Sequence, residues 1–151
     1  MEKEFLQDWK NWKGLNKDKY FTVYDYIYHN LNNQNINSDI FFTFIELVWP
    51  TFFQLDGHIF LKENFSLKKY ESLKRENENV EFWLNLILLS PYFENDNFEE
   101  QKSQSFSQKL VEIWQVKLKK DFPNLNFIVE YVFDSENSDH GLTFYQISQD
   151  V

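Results

Sequence analysis

The sequence predicts an α+β fold: one antiparallel sheet built from two β-hairpins, residues 51–62 and 126–147, packed with several helices in a single domain over 1–151. Three observations predict it. In "WPTFFQLDGHIFLK", Asp56-Gly57 separates two apolar runs, the strongest short-range hairpin signal. "NFIVEYVF" at 126–133 and "LTFYQI" at 142–147 are dense in β-branched and aromatic residues and flank the polar loop "DSENSDHG". Elsewhere, apolar residues recur at helical spacing, so runs of helices alternate with hairpins, a pattern of α+β rather than parallel α/β proteins. A chain of 151 residues suits one domain, since at this size roughly 68–70% of the unfolded surface is buried.

Taken in order, Phe5, Leu6, Trp9 and Trp12 give a first helix over 2–13, with Gly14 as its stop. Residues 18–31 carry the stripe Tyr20, Val23, Tyr24, Ile27 and Leu31, which predicts a second helix capped by Asp18; the same aromatic density also suits a strand. "NNQNINS" at 32–38 is a polar connector, and Ser38 or Asp39 opens a third helix that runs to about Trp49. Pro50 ends it, because proline disfavours helical backbone in the residue before it.

After the first hairpin, Leu67, Tyr70 and Leu73 predict a short helix over 66–75. Asn77 or Asn79 caps another that carries Val80, Trp83, Leu84, Ile87 and Leu88. "SPYFENDN" breaks the chain, and Asn97 with Glu100 three residues on reads as a capping box for a helix over about 98–121. Its apolar positions are Phe106, Leu110, Val111, Ile113, Trp114 and Leu118, and Phe122-Pro123 stops it.

Strand alternation makes the first hairpin apolar on both faces. Phe53, Leu55, His58 and Phe60 share one face; Phe52, Gln54, Ile59 and Leu61 share the other. Phe127, Val129, Tyr131 and Phe133 share a face of the third strand, backed by Ile128 and Val132. An isolated hairpin is marginal in water, so the two are expected to join in one sheet. The second apolar face then requires cover from helices of the same chain, from an identical subunit, or from a ligand or partner.

The formal charge is −9, and its placement is uneven. Residues 1–75 hold 10 Lys/Arg and 10 Asp/Glu, whereas 76–151 hold 5 and 14. Nucleic acid is excluded as a partner of that second half, because its binding requires cations at the phosphates. The three glycines stand far apart, so no phosphate-cradling loop exists, and neither a nucleophile-elbow nor a zinc-protease motif is present. The chain contains no cysteine. The apolar stretch from Ile40 to Phe53, broken by Glu46 and Pro50, is expected in the core rather than in a membrane. The charged, amphipathic first residues lack a signal-peptide pattern, so a cytoplasmic location is expected.

Two candidate sites follow. If strands 58–62 and 126–133 pair antiparallel, both hairpin turns emerge at one end of the sheet. Asp56, His58, Asp139 and His140 then meet there, a donor set suited to a divalent metal such as zinc; no other cofactor is expected. Separately, Glu94, Asp96, Glu99 and Glu100 are interleaved with Tyr92, Phe93 and Phe98. Carboxylates raise the rate of meeting a basic protein and aromatic anchors hold it, with Glu76, Glu78 and Glu81 extending the patch. The leading expectation is therefore a non-enzymatic acidic interaction protein (inhibitor, adaptor or homodimer) that binds a protein partner or itself. The alternative is a small-molecule binder or enzyme with an aromatic-lined pocket between sheet and helices, its polar groups drawn from His58, Gln54, Tyr131 and Tyr145.

Overall fold

The computed structural model describes residues 3–147, which form an α+β structure of six α-helices and two small antiparallel sheets. The chain divides into two compact units, Met1–Phe44 and Ile45–Val151.

In the first unit, α1 (Gln7–Leu15) and α2 (Val23–Asn33) hold an aromatic cluster. Trp9 is buried and meets Trp12 and Tyr26, and Phe21 stacks on Trp12. Two expected boundaries move. Gly14 lies inside α1, and Asn16 ends it by donating its backbone N–H to the Lys13 carbonyl. Thr22, not Asp18, caps α2: its hydroxyl accepts from Tyr24 N–H at 3.2 Å while its own N–H donates to Asp25 at 2.6 Å. A third helix, α3 (Asp39–Val48), begins in this unit and ends two residues before Pro50.

The second unit opens with the hairpin of β1 (Phe52–Leu55) and β2 (His58–Leu61). Asp56 and Gly57 both take positive φ, 50° and 85°, the geometry of a turn whose twist matches its strands. One face of the hairpin, with Phe60 and Phe53, is covered by Tyr70 of α4 (Leu67–Arg75) and by Val80 and Leu84 of α5 (Val80–Leu84). The other face, with Phe52, Ile59 and Leu61, packs on Leu110, Trp114 and Leu118 of α6 (Glu99–Asp121) and on Phe144. Both apolar faces are thus covered from within this unit. The side chains of Ser66 and Asn79 cap α4 and α5.

The second sheet has the order β3 (Ile87–Leu88), β5 (Asp139–Gln146), β4 (Phe127–Asp134). The predicted helix over 80–88 is cut short at Leu84, because Ile87 and Leu88 extend to pair with Leu142 and Gly141. That pairing explains Gly141: a Cβ there would stand 2.2 Å from the Ile87 carbonyl oxygen. The polar loop shrinks to 135–138, with Asp134 opposite Asp139 and the Asp134 carboxylate accepting from Glu136 N–H and the Asn137 amide. A 3₁₀ turn (Ser90–Phe93) leads toward α6. The capping box of Asn97 and Glu100 does not form; the cap position is Phe98, and Asp96 Oδ1 takes its N–H at 2.8 Å.

The two hairpins do not share a sheet, contrary to expectation. The free edge of β2 faces β5 rather than the 126–133 strand, and α5 fills the gap with two buried polar side chains. Glu81 accepts from Ile59 N–H on one oxygen and from Gln146 N–H on the other, each at 2.8 Å. The Asn85 oxygen accepts from Leu61 N–H at 2.9 Å, while its amide donates to the carbonyls of Ile59 at 2.9 Å and Phe144 at 3.1 Å. Side chains here replace a strand ladder, since every buried backbone donor and acceptor must find a partner.

Candidate functional site

The four residues predicted to hold a metal are not brought together. The Gln146 amide donates to the Gly57 carbonyl at 2.8 Å, so the 56–58 turn lies at the C-terminal end of β5. His140 lies six residues back along that strand, about 20 Å away at 3.3 Å per residue. The reason is topological: β2 neighbours β5, whose start carries His140, instead of β4. His140 is buried, with its Nδ1 2.5 Å from the Tyr131 hydroxyl and the Phe133 ring at 4.8 Å. Asp139 sits at the loop, paired with Asp134. Among the described residues no group of three or more His, Cys, Asp or Glu is placed to hold a metal ion.

The turn of the first hairpin has its own polar cluster. His58 Nδ1 stands 3.6 Å from Glu81, and Asp56 accepts from the Tyr70 hydroxyl at 2.7 Å and from Lys74 at 3.3 Å. The Tyr70 hydroxyl, then Lys74, holds the Asp56 carboxyl below the usual carboxylate range, and Asp56 in turn pushes the Tyr70 phenol up. Clefts of about 400 Å³ and 340 Å³ flank His58. Glu81, however, is committed to the fold, accepting two backbone N–H groups and the Gln146 amide. It is 4% exposed and belongs to no surface acidic patch. The alternative pocket residues also stay apart. Tyr131 is with His140, Tyr145 lies beside Phe82 and Glu130, and Gln54 is exposed on β1.

In the 92–100 segment, Tyr92 is an exposed ring at 65%, whereas Phe93 turns onto Phe106 at 5.9 Å and Phe98 is half-buried. Glu94 and Glu100 are exposed; Glu99 is half-buried in the first turn of α6. Asp96 pairs with Lys102, and this bond, with the Phe98 N–H, holds its carboxyl below the usual range. A carboxyl whose folded pKa is depressed binds fewer protons folded than unfolded. Its contribution is fully present above the ordinary value of 3.8 and is lost as pH falls through the lowered one. Asp96→Asn is therefore expected to flatten the acid limb of a stability–pH curve below about pH 4, read by urea midpoints, and to leave the neutral region's slope unchanged.

The feature that sequence reasoning missed lies in the first unit. α3, "DIFFTFIELV", has seven apolar residues in ten, yet none of its residues is fully buried. Asp39, Thr43 and Glu46 fall within about 60° of arc at 100° per residue, so the apolar face covers most of the helix. Ile40 is 51% exposed, Phe42 74% and Phe44 46%. With Ile27 and Leu31 of α2 and with Ile36, the residues Ile40, Phe41 and Phe44 line an open apolar groove of about 300 Å³. Tyr24 and Tyr28 stand exposed along α2 beside it. The expectation of a core run from Ile40 holds for Phe52 and fails for 40–45. The available signal was a helix almost without a polar face, which occurs where something else covers it. No helix of the described residues is long and apolar enough to cross a membrane.

No family model matches the chain, and no significant match to it was found among the curated proteins or the solved structures.

Proposed function

We propose that this chain is a non-enzymatic interaction protein that docks another protein chain through the apolar face of α2 and α3. The observation that carries this reading is α3 itself, seven of whose ten residues are apolar and none of which is fully buried. Exposed apolar patches of several hundred Å² mark interaction surfaces, and an open groove lined by aliphatic and aromatic side chains accepts a helix or a ring. The acidic 92–100 segment is secondary: of its three rings only Tyr92 is exposed, so it supplies charge for steering more than an anchor.

A benzophenone amino acid placed at position 28, on the rim of the groove, tests the reading. It is expected to give a protein adduct on irradiation in the source extract, and Ile40→Asp in the same chain should abolish that adduct. The same probe at the exposed Gln104 of α6 should give none. Labelling that is equal at both positions, or unaffected by Ile40→Asp, refutes it.

A further inference from the structure

We infer that the occupant of the α2–α3 groove is a second copy of this chain, paired face to face across a two-fold axis; the inference rests on the docking surface proposed above and names its partner. The first argument is charge. The groove is lined by Ile27, Leu31, Ile36, Ile40, Phe41 and Phe44 together with Tyr26 and Asn30, none of which is an acidic or basic side chain, so it gives a charged segment no opposite charge to pair with. Residues 1–44 hold five Lys and six Asp/Glu, net −1, while 45–151 hold ten Lys/Arg and eighteen Asp/Glu, net −8. The acid excess that makes two copies of the chain repel lies wholly in residues 76–151, so the nearly neutral first unit, which carries the apolar face, brings little of that repulsion to a pairing of two copies. An anionic lipid surface is disfavoured by that same excess of acid.

The second argument is shape. A two-fold interface is self-complementary, so one patch must offer both a recess and something to fill it. Tyr24 and Tyr28 are 78% and 71% exposed and lie on the strip of α2 next to Ile27 and Leu31. A rim of rings beside a groove allows each copy to place its tyrosines over the other's Ile40 and Phe44. The third argument is area. The exposed parts of Tyr24, Ile27, Tyr28, Ile36, Ile40, Phe41 and Phe44 amount to roughly 700 Å². That is close to the ~800 Å² each partner contributes to a standard stable interface.

Sedimentation equilibrium on the full chain tests this. The expected species at about 50 μM is twice the 18.5 kDa chain mass. Ile40→Asp and Tyr28→Asp are each expected to raise the dimer dissociation constant by ~30-fold or more. Both side chains are at least half exposed, and an unchanged far-ultraviolet spectrum and urea midpoint would show that the variants still fold. Because like charges are being screened, dimerisation should tighten between about 0.05 M and 0.5 M salt, whereas capture of a basic protein by the acidic segment would weaken. A monomer at ~200 μM, or a dimer that Ile40→Asp leaves intact, overturns the inference. If the protein is monomeric while the probe at position 28 still labels a different protein, only self-pairing fails. If it labels nothing, the docking surface fails with it.

Discussion

Glu81→Gln is expected to lower the unfolding free energy by about 2–4 kcal/mol, although it changes one buried atom. Both carboxylate oxygens of Glu81 accept from backbone N–H groups that have left a strand edge, Ile59 on β2 and Gln146 on β5. A glutamine must turn its NH₂ toward one of them, so a buried donor faces a donor, which costs more than an absent bond. The neighbouring Asn85 carries the same logic with opposite polarity: its amide donates to two carbonyls, those of Ile59 and Phe144. Urea unfolding followed by far-ultraviolet circular dichroism gives the measurement, with the exposed Glu71→Gln as the control expected within about 0.5 kcal/mol of wild type. Equal midpoints for the two variants would show that Glu81 does not join the sheets.

This seam also marks where the sequence stopped being legible. Local chemistry was sufficient for the Asp56-Gly57 turn, because a two-residue loop sets register from the turn outward: Leu55 opposite His58 and Phe53 opposite Phe60. It was sufficient for α6, where Leu110, Trp114 and Leu118 recur at intervals of four and all are buried. It failed between Val80 and Leu88, because Glu81 and Asn85 read as ordinary polar positions of an amphipathic helix. Nothing within ten residues of them reveals that they bond to residues 22 to 65 positions away. The misplaced metal site follows from the same blindness: the two hairpins lie in separate sheets, and the 56–58 turn meets the Gln146 end of β5, which leaves His140 at the far end of that strand. The exposed face of α3 was hidden for a different reason. An apolar run is equally a core helix and a docking helix until its neighbours are known, and only the narrow polar arc of Asp39, Thr43 and Glu46 distinguishes them.

Trp114→Ala is expected to be the most damaging single change in the second unit, at about 3–5 kcal/mol. The indole is fully buried and meets Phe52 and Phe144 edge-on at 6.4 Å and 6.1 Å, so its removal opens a cavity at the centre of the core that α6 shares with both sheets. Its polar end has a separate task. Pro50 stops α3 and has no N–H, and Thr51 N–H turns to the Glu46 side chain. The Leu47 carbonyl therefore lacks a helical partner, and the indole Nε1–H donates to it at 3.0 Å. Trp114→Phe separates the two contributions. It keeps most of the apolar contact and loses the donor, and is expected to cost about 1–3 kcal/mol, part of it from the carbonyl left unpaired. If Trp114→Phe proves as damaging as Trp114→Ala in urea unfolding, volume is not what the tryptophan provides, and the end of α3 rather than the core is the weak point of this unit.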